Sequence, residues 1–175
     1  MKKTTVVLCL FALALTSCEK TKVDISFNME VADIYFNVDT TSTQGNLTLA
    51  ATSFNSDLQQ KLDENKASID DVESIELTGA EFKMINAGSQ NFDIVDKAYA
   101  LISTANDPEK QIAYKDPVPN GATSFTLDVA SGNLKDYLQE SVINFKATGF
   151  TNGPNTERDS LQVILNFKIK AKVKP

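Results

Sequence analysis

The chain has 175 residues, a formal net charge of −6, two cysteines, no histidine and no tryptophan. Without imidazole the usual general base near neutral pH is missing, and Ser-His and Cys-His nucleophile pairs are excluded with it. Once neither cysteine serves the folded domain as a thiol, zinc or copper would rest on carboxylates alone; there is no Gly-rich phosphate loop, and the acidic balance has the wrong sign for nucleic acid.

The chain opens Met1-Lys2-Lys3, followed by an apolar run from Val6 to Leu15. A membrane-spanning helix needs about 20 such residues. A basic start, a short apolar core and small residues beyond it predict a secretory signal peptide over residues 1–17. Leu15-Thr16-Ser17-Cys18 resembles the lipobox of bacterial lipoproteins at all four positions. The resemblance implies that the Cys18 thiol carries diacylglyceryl, that the chain is cut before it, and that the new amine is acylated in turn. Two or more acyl chains anchor stably where one does not. Cys9 leaves with the signal, so an exported domain otherwise free to use disulfides has no thiol for one. Its stability must come from a core, and a domain near 150 residues can bury about 70% of its unfolded surface.

Residues 18–22 are then the lipidated cysteine and a short tether. About four extended residues at roughly 3.3–3.6 Å each reach about 14 Å, which holds the folded body close to the bilayer. Glu19-Lys20-Thr21-Lys22 has one acid followed by lysines. That is a poor match to the acidic run that surface-destined Bacteroidota lipoproteins often carry after the cysteine. The expected location is the outer membrane, on either face.

From residue 23 the pattern is β. Val23, Ile25, Phe27, Met29 and Val31 alternate with polar residues, and the apolar phase then flips to Ile34, Phe36 and Val38. A one-residue slip sends side chains to the other face, so a bulge is expected near Ala32-Asp33. Residues 39–46 are a polar loop, and Leu47, Leu49 and Ala51 restart the alternation. Ser56 with Gln59 has the spacing of a capping box. Leu58 and Leu62, spaced i, i+4, give the short helix there one apolar face. Ile75 and Leu77 lead a strand that changes phase at Gly79-Ala80 and continues through Phe82 and Met84. A turn at 92–96 precedes a strand over 97–103. Ile112–Tyr114 and Phe125-Leu127-Val129 read as further strands. Residues 132–141 read as a second short helix with Leu134 and Leu138 inward. Ile143, Phe145 and Ala147 form the next strand, and the longest alternation runs from Leu161 to Val173.

These elements predict an all-β fold: an antiparallel immunoglobulin-like β-sandwich of about seven to nine strands with two short connecting helices, one domain over residues 23–175. Phe27, Phe36, Phe82, Phe125, Phe145 and Phe167 sit at inward positions. Lipobox, short tether and a β domain of this size together resemble small lipoproteins of the Bacteroidota. The body carries no motif from which functional residues transfer.

Beyond Cys18, four features are candidates for chemistry. Lys168, Lys170, Lys172 and Lys174 fall on one face of a strand. They are candidates for contact with an anionic surface, against the ordinary use of lysine to guard an exposed strand edge. Asp39-Thr40-Thr41 and Asp159-Ser160-Leu161 resemble the acceptor tripeptide of Bacteroidota O-glycosylation, which makes Thr40 and Ser160 candidates for modification. The stretch Asp70–Glu76 is acidic but lacks the spacing of an EF-hand loop. Tyr35, Tyr99, Tyr114 and Tyr137, if clustered at the surface, would form a sugar-contacting face.

The sequence assigns no catalytic residue, no metal and no cofactor. A carboxylate pair for glycoside hydrolysis needs no histidine, but the tryptophan common in such clefts is missing as well. The expected function is a non-enzymatic, lipid-anchored interaction or accessory module of an outer-membrane assembly. Its partners are the membrane, through Cys18, and a protein or glycan. A carbohydrate- or small-ligand-binding lipoprotein, with a concave pocket lined by Tyr, Asn and Asp, is the alternative. A fimbrial-type structural subunit is a further one, though the chain is short for it.

Overall fold

The computed structural model describes residues 22–38, 44–85, 91–154 and 159–174. Among the described residues nine strands and two short helices follow one another. They are β1 (Val23–Val38), β2 (Gly45–Phe54), α1 (Leu58–Glu64), β3 (Val72–Met84), β4 (Val95–Ser103), β5 (Lys110–Lys115), β6 (Ser124–Thr126), β7 (Asp128–Val129), α2 (Lys135–Leu138), β8 (Ile143–Thr151) and β9 (Asp159–Val173). A single 3-10 turn, Ile69–Asp71, leads into β3. Among the described residues no helix is long and apolar enough to cross a membrane.

The strands form two antiparallel sheets, of order β1-β9-β3-β6 and β2-β8-β4-β5-β7. Packed face to face they make the expected all-β sandwich with two short helices. The strand order is one that alternation alone does not specify. The first and last strands are bonded neighbours, Val23 opposite Val173 and Val38 opposite Asp159, and the chain passes from one sheet to the other at every step but two, β4 to β5 and β7 to β8. This double winding is that of a jelly roll; immunoglobulin sheets are ordered ABED and CFG.

The core follows the alternation. Met29, Ile34, Ile75, Phe82, Phe145, Leu165, Phe167 and Ile169 are almost wholly buried. Phe82 is its centre, with ring centroids of Phe36, Phe125 and Phe145 at 6.3, 5.7 and 6.5 Å. Phe27 and Phe36 are half-buried, nearer the periphery than their inward phase predicts. The phase flip in β1 is a register shift between Val31 and Ile34, and that in β3 lies between Leu77 and Gly79.

Four local expectations change. Phe125-Leu127-Val129 is not one strand: β6 pairs with β3 in one sheet and β7 with β5 in the other. The chain crosses between sheets at Leu127, whose N–H donates to the carbonyl of Ala80 at 2.8 Å. Ala51 is exposed, because β2 slips register against β8 between Thr48 and Ala50. The fourth strand starts at Val95 rather than at residue 97. The spacing of Ser56 and Gln59 does not make a capping box. The Ser56 hydroxyl donates to the carbonyl of Leu138 at 2.7 Å, tying α1 to α2, and Gln59 reaches Asp63. The reciprocal cap sits instead at Ser68 and Asp71, on the 3-10 turn.

The open flank of β3 is closed by a side chain. Asn133 Oδ1 accepts from the N–H of Ile75 at 3.0 Å, and Asn133 Nδ2 donates to the carbonyl of Glu73 at 3.2 Å. Leu134 N–H adds a bond to the Ile75 carbonyl. An edge that would otherwise present unpaired backbone groups is thereby satisfied by the turn ahead of α2.

Candidate functional site

The sandwich has two unlike ends. β1 begins and β9 finishes at one of them, together with α1, the 3-10 turn and α2. This end, the base, is where the chain enters from the N-terminal segment. Cys18 lies outside the described residues, but Lys22 is placed. Its Nζ is 3.7 Å from Asp71 Oδ1. Asp71 is itself held by Ser68, which donates its backbone N–H at 3.0 Å and its hydroxyl at 2.7 Å to Oδ2. These two bonds from Ser68, and then the Lys22 ammonium, hold the Asp71 carboxyl below its ordinary pKa. An ionised carboxylate therefore receives the chain as it enters the domain.

Leu58 and Leu62 of α1 and Leu138 of α2 plug the base and are almost fully buried. Between the helices a cleft of about 450 Å3 opens to solvent, with Ile69 and Val142 on its walls and Asn55, Gln59 and Gln139 around them. No tyrosine lines it. A second shallow cleft, beside Ser53, Glu109 and Lys146, carries none either.

The lysine stripe occupies the outer face of β9, as alternation predicts, but β9 is no edge strand. It lies between β1 and β3, so guarding an edge does not account for its lysines. Acidic neighbours on both flanking strands meet them. Lys170 Nζ is 2.8 Å from Glu76 Oε1. Lys172 Nζ is 2.6 Å from Glu73 and 3.9 Å from Asp24. Asn28 and Glu76 stand opposite Lys168, and Lys174 is exposed beyond the end of the strand. The hydrogen bond from Lys170 lowers the pKa of Glu76, and that with Glu73 raises that of Lys172. At Lys170 and Lys172 the stripe is a mixed-charge ladder.

The same pairs dispose of the acidic stretch. Asp71, Glu73 and Glu76 are engaged by Ser68 and Lys22, by Lys172 and by Lys170. Among the described residues no group of three or more acidic or cysteine side chains is placed to hold a metal ion.

The tyrosines do not gather. Tyr99 and Tyr114 stand opposite each other on the outer face of the five-stranded sheet. Tyr35 lies on β1 in the other sheet and accepts a hydrogen bond from Gln162. Tyr137 sits on α2 and donates to the carbonyl of Pro108 at 3.1 Å. Thr40 lies outside the described residues. Ser160 is paired with Asn37 inside the β1–β9 ladder, and its hydroxyl donates to Asn37 Oδ1 at 2.8 Å. This is a strand start, with the hydroxyl already engaged.

The far end is braced by polar contacts. Asn152 Nδ2 donates to the carbonyl of Asp93 at 3.1 Å and to Asp96 Oδ1 at 2.9 Å. Gly121, whose φ of +70° suits the Asn120-Gly121 turn, donates its N–H to Asp93 Oδ1. Lys97 pairs with Asp116 at 2.7 Å. Sequence reasoning missed these partners, and missed Asn133 and Lys22–Asp71. The one local signal was Ser68-x-x-Asp71, a serine three residues ahead of an acid.

No family model matches the chain, and no curated protein matches it. Among solved structures, one titled Desmodium yellow mottle tymovirus overlaps 87% of this chain and 89% of its own at 9% identity, with a TM-score of 0.30. A likeness of that size carries no argument about function.

Proposed function

We propose that the protein is a lipid-anchored envelope lipoprotein, a non-enzymatic interaction or accessory module of an outer-membrane assembly. The observation that carries the reading is the lipobox Leu15-Thr16-Ser17-Cys18 set just ahead of a domain whose first strand begins at Val23. Between them lies a tether of a few residues, so the sandwich works within about 14 Å of its anchor. At the base Lys22, Lys170 and Lys172 pair with Asp71, Glu76 and Glu73, and fold alone assigns no activity. The small-ligand alternative calls for a concave pocket lined by Tyr, Asn and Asp; the basal cleft holds Asn55 and the lateral one Asn144, but neither holds a tyrosine or an aspartate.

Affinity capture of the tagged, full-length protein from detergent-solubilised envelope of its native host tests this reading. It should recover a stoichiometric envelope partner, and Cys18→Ala should release the protein from the membrane fraction and lose that partner. Recovery of the wild-type protein alone, or retention of Cys18→Ala in the membrane, would contradict it.

A further inference from the structure

We infer that the base of the sandwich is a membrane-seating surface, in which Val23 and Val142 dip into the interfacial layer of the bilayer that holds the anchor. The inference rests on the reading of Cys18 as the lipid carrier and deepens it, from tethered near a membrane to docked on one.

Burial along β1 is the first observation. Its inward-phase residues should all be covered by the opposite sheet. Met29 is 1% exposed, Ile25 and Phe27 are half-buried, and Val23 is 48% exposed. The covering fails progressively toward the N-terminal end of the strand. Val173, bonded to Val23 across the ladder, is left half-buried at the same corner.

Val142 is the second. It is 51% exposed at the start of β8 and shares the basal cleft with Ile69 of the 3-10 turn. Two residues on from Ile69, Asp71 holds Lys22, the residue before Val23. Val23, Ile69 and Val142 are thus drawn to one end of the molecule by these contacts, although they come from three separate parts of the chain.

What covers this end follows from where the chain leads. Cys18 is only a few residues from Val23, about 14 Å of extended backbone, so a bilayer is the surface nearest to the base at all times. Lys22, Lys170 and Lys172 are matched by Asp71, Glu76 and Glu73, and Asp57, Asp63, Asp70 and Asp136 are exposed on the helical side of the same end. Seating there rests on apolar contact at the boundary between headgroups and acyl chains, at a depth of about 5–10 Å, and draws nothing from anionic lipid.

The absence of native tryptophan makes the test direct. Single-tryptophan variants Val23→Trp and Val142→Trp of the lipidated protein are placed in vesicles of phosphatidylethanolamine and phosphatidylglycerol doped with phosphatidylcholine brominated in its acyl chains. Ile85→Trp is the control. Ile85 is 47% exposed and bonds to Ser160 at the other end of β9, about 45 Å away by strand rise. Intact mass and vesicle flotation report the lipid on Cys18 independently. The expected result is loss of most of the emission at positions 23 and 142, persisting in high salt, with none at 85. Quenching no greater at 23 and 142 than at 85, in protein that carries lipid and floats, overturns the docking while the anchor stands. A blue shift at these positions without quenching would mean that a protein surface covers the base, and overturns it too. Protein with no lipid on Cys18 that fails to float overturns both readings.

Discussion

Lys172 on β9 and Glu73 on β3 hold each other at 2.6 Å across two strands that are nearly a hundred residues apart in sequence. One bond higher on the same ladder, Lys170 meets Glu76 at 2.8 Å. Two lysines of a row that reads as a basic patch along one strand are thus balanced by acids on its neighbours.

The pairing sets a pH dependence. The hydrogen bond from Lys170 depresses the Glu76 pKa, and those from Ser68 depress that of Asp71. Both therefore bind a proton less readily in the folded chain than in the unfolded one, whose carboxylates titrate near about 4. The stability they supply is complete above that value and is lost as pH falls through their lower folded values. Lys172 and Lys97 are raised by Glu73 and Asp116. Their share is present below about pH 10.4 and is lost as pH rises through their higher folded values. Tm followed by circular dichroism should be level through the neutral range and fall at both extremes. Glu76→Gln should make the acid limb shallower, and high salt should flatten both limbs, since all these groups are solvent-facing. A Tm that rises on acidification below pH 4 would contradict this.

Gly149 is required by a close approach. A Cβ built on it would stand 2.7 Å from the carbonyl oxygen of Lys97 and 3.1 Å from Leu49 Cδ1. The first is backbone of the paired strand β4 and cannot step aside alone. Gly149→Ala should cost about 1–3 kcal/mol, the range for overpacking, measured by urea unfolding. Gly153→Ala, with open space around its Cβ, should cost far less.

Phe82 is fully buried and contacts three other rings. Phe82→Ala should destabilise by about 3–5 kcal/mol. Phe27→Ala, half-buried at the margin, should cost clearly less in the same assay. Equal costs would contradict the difference in burial between the two rings.

Asn133 satisfies two backbone groups of β3 and also accepts from the N–H of Lys135 at 3.0 Å. Asn133→Ala leaves those groups without their partner, a cost of about 1–3 kcal/mol, and uncovers a sheet edge. Light scattering on gentle warming should show association of Asn133→Ala at a temperature where the parent chain stays monodisperse. Unchanged scattering and unchanged Tm would show that the clamp is dispensable.

Much of this fold is legible in the sequence because period-two alternation reports which face a residue takes. The slips at Val31/Ile34 and Leu77/Gly79 show as changes of apolar phase. Alternation does not report the hydrogen-bonding partner. Phe125, Leu127 and Val129 keep perfect period while the chain passes from one sheet to the other, and the jelly-roll order leaves no local trace. The slip beside Ala50-Ala51 is silent because two alanines offer no contrast between faces. Ser56-x-x-Gln59 and Ser68-x-x-Asp71 are near-equivalent as strings, and only the second closes on itself. The acids that neutralise the lysine stripe come from β1 and β3, and their pairing with β9 is set by topology.

We propose Cys18 as the lipid carrier that holds the folded domain close to the membrane. Mass spectrometry of the N-terminal peptide of the protein purified from its native host tests it most directly. The expected species begins at Cys18 and carries diacylglyceryl on sulfur, with or without a further acyl group on the amine. A mature chain that begins elsewhere, or one that begins at Cys18 with a free thiol, would contradict it.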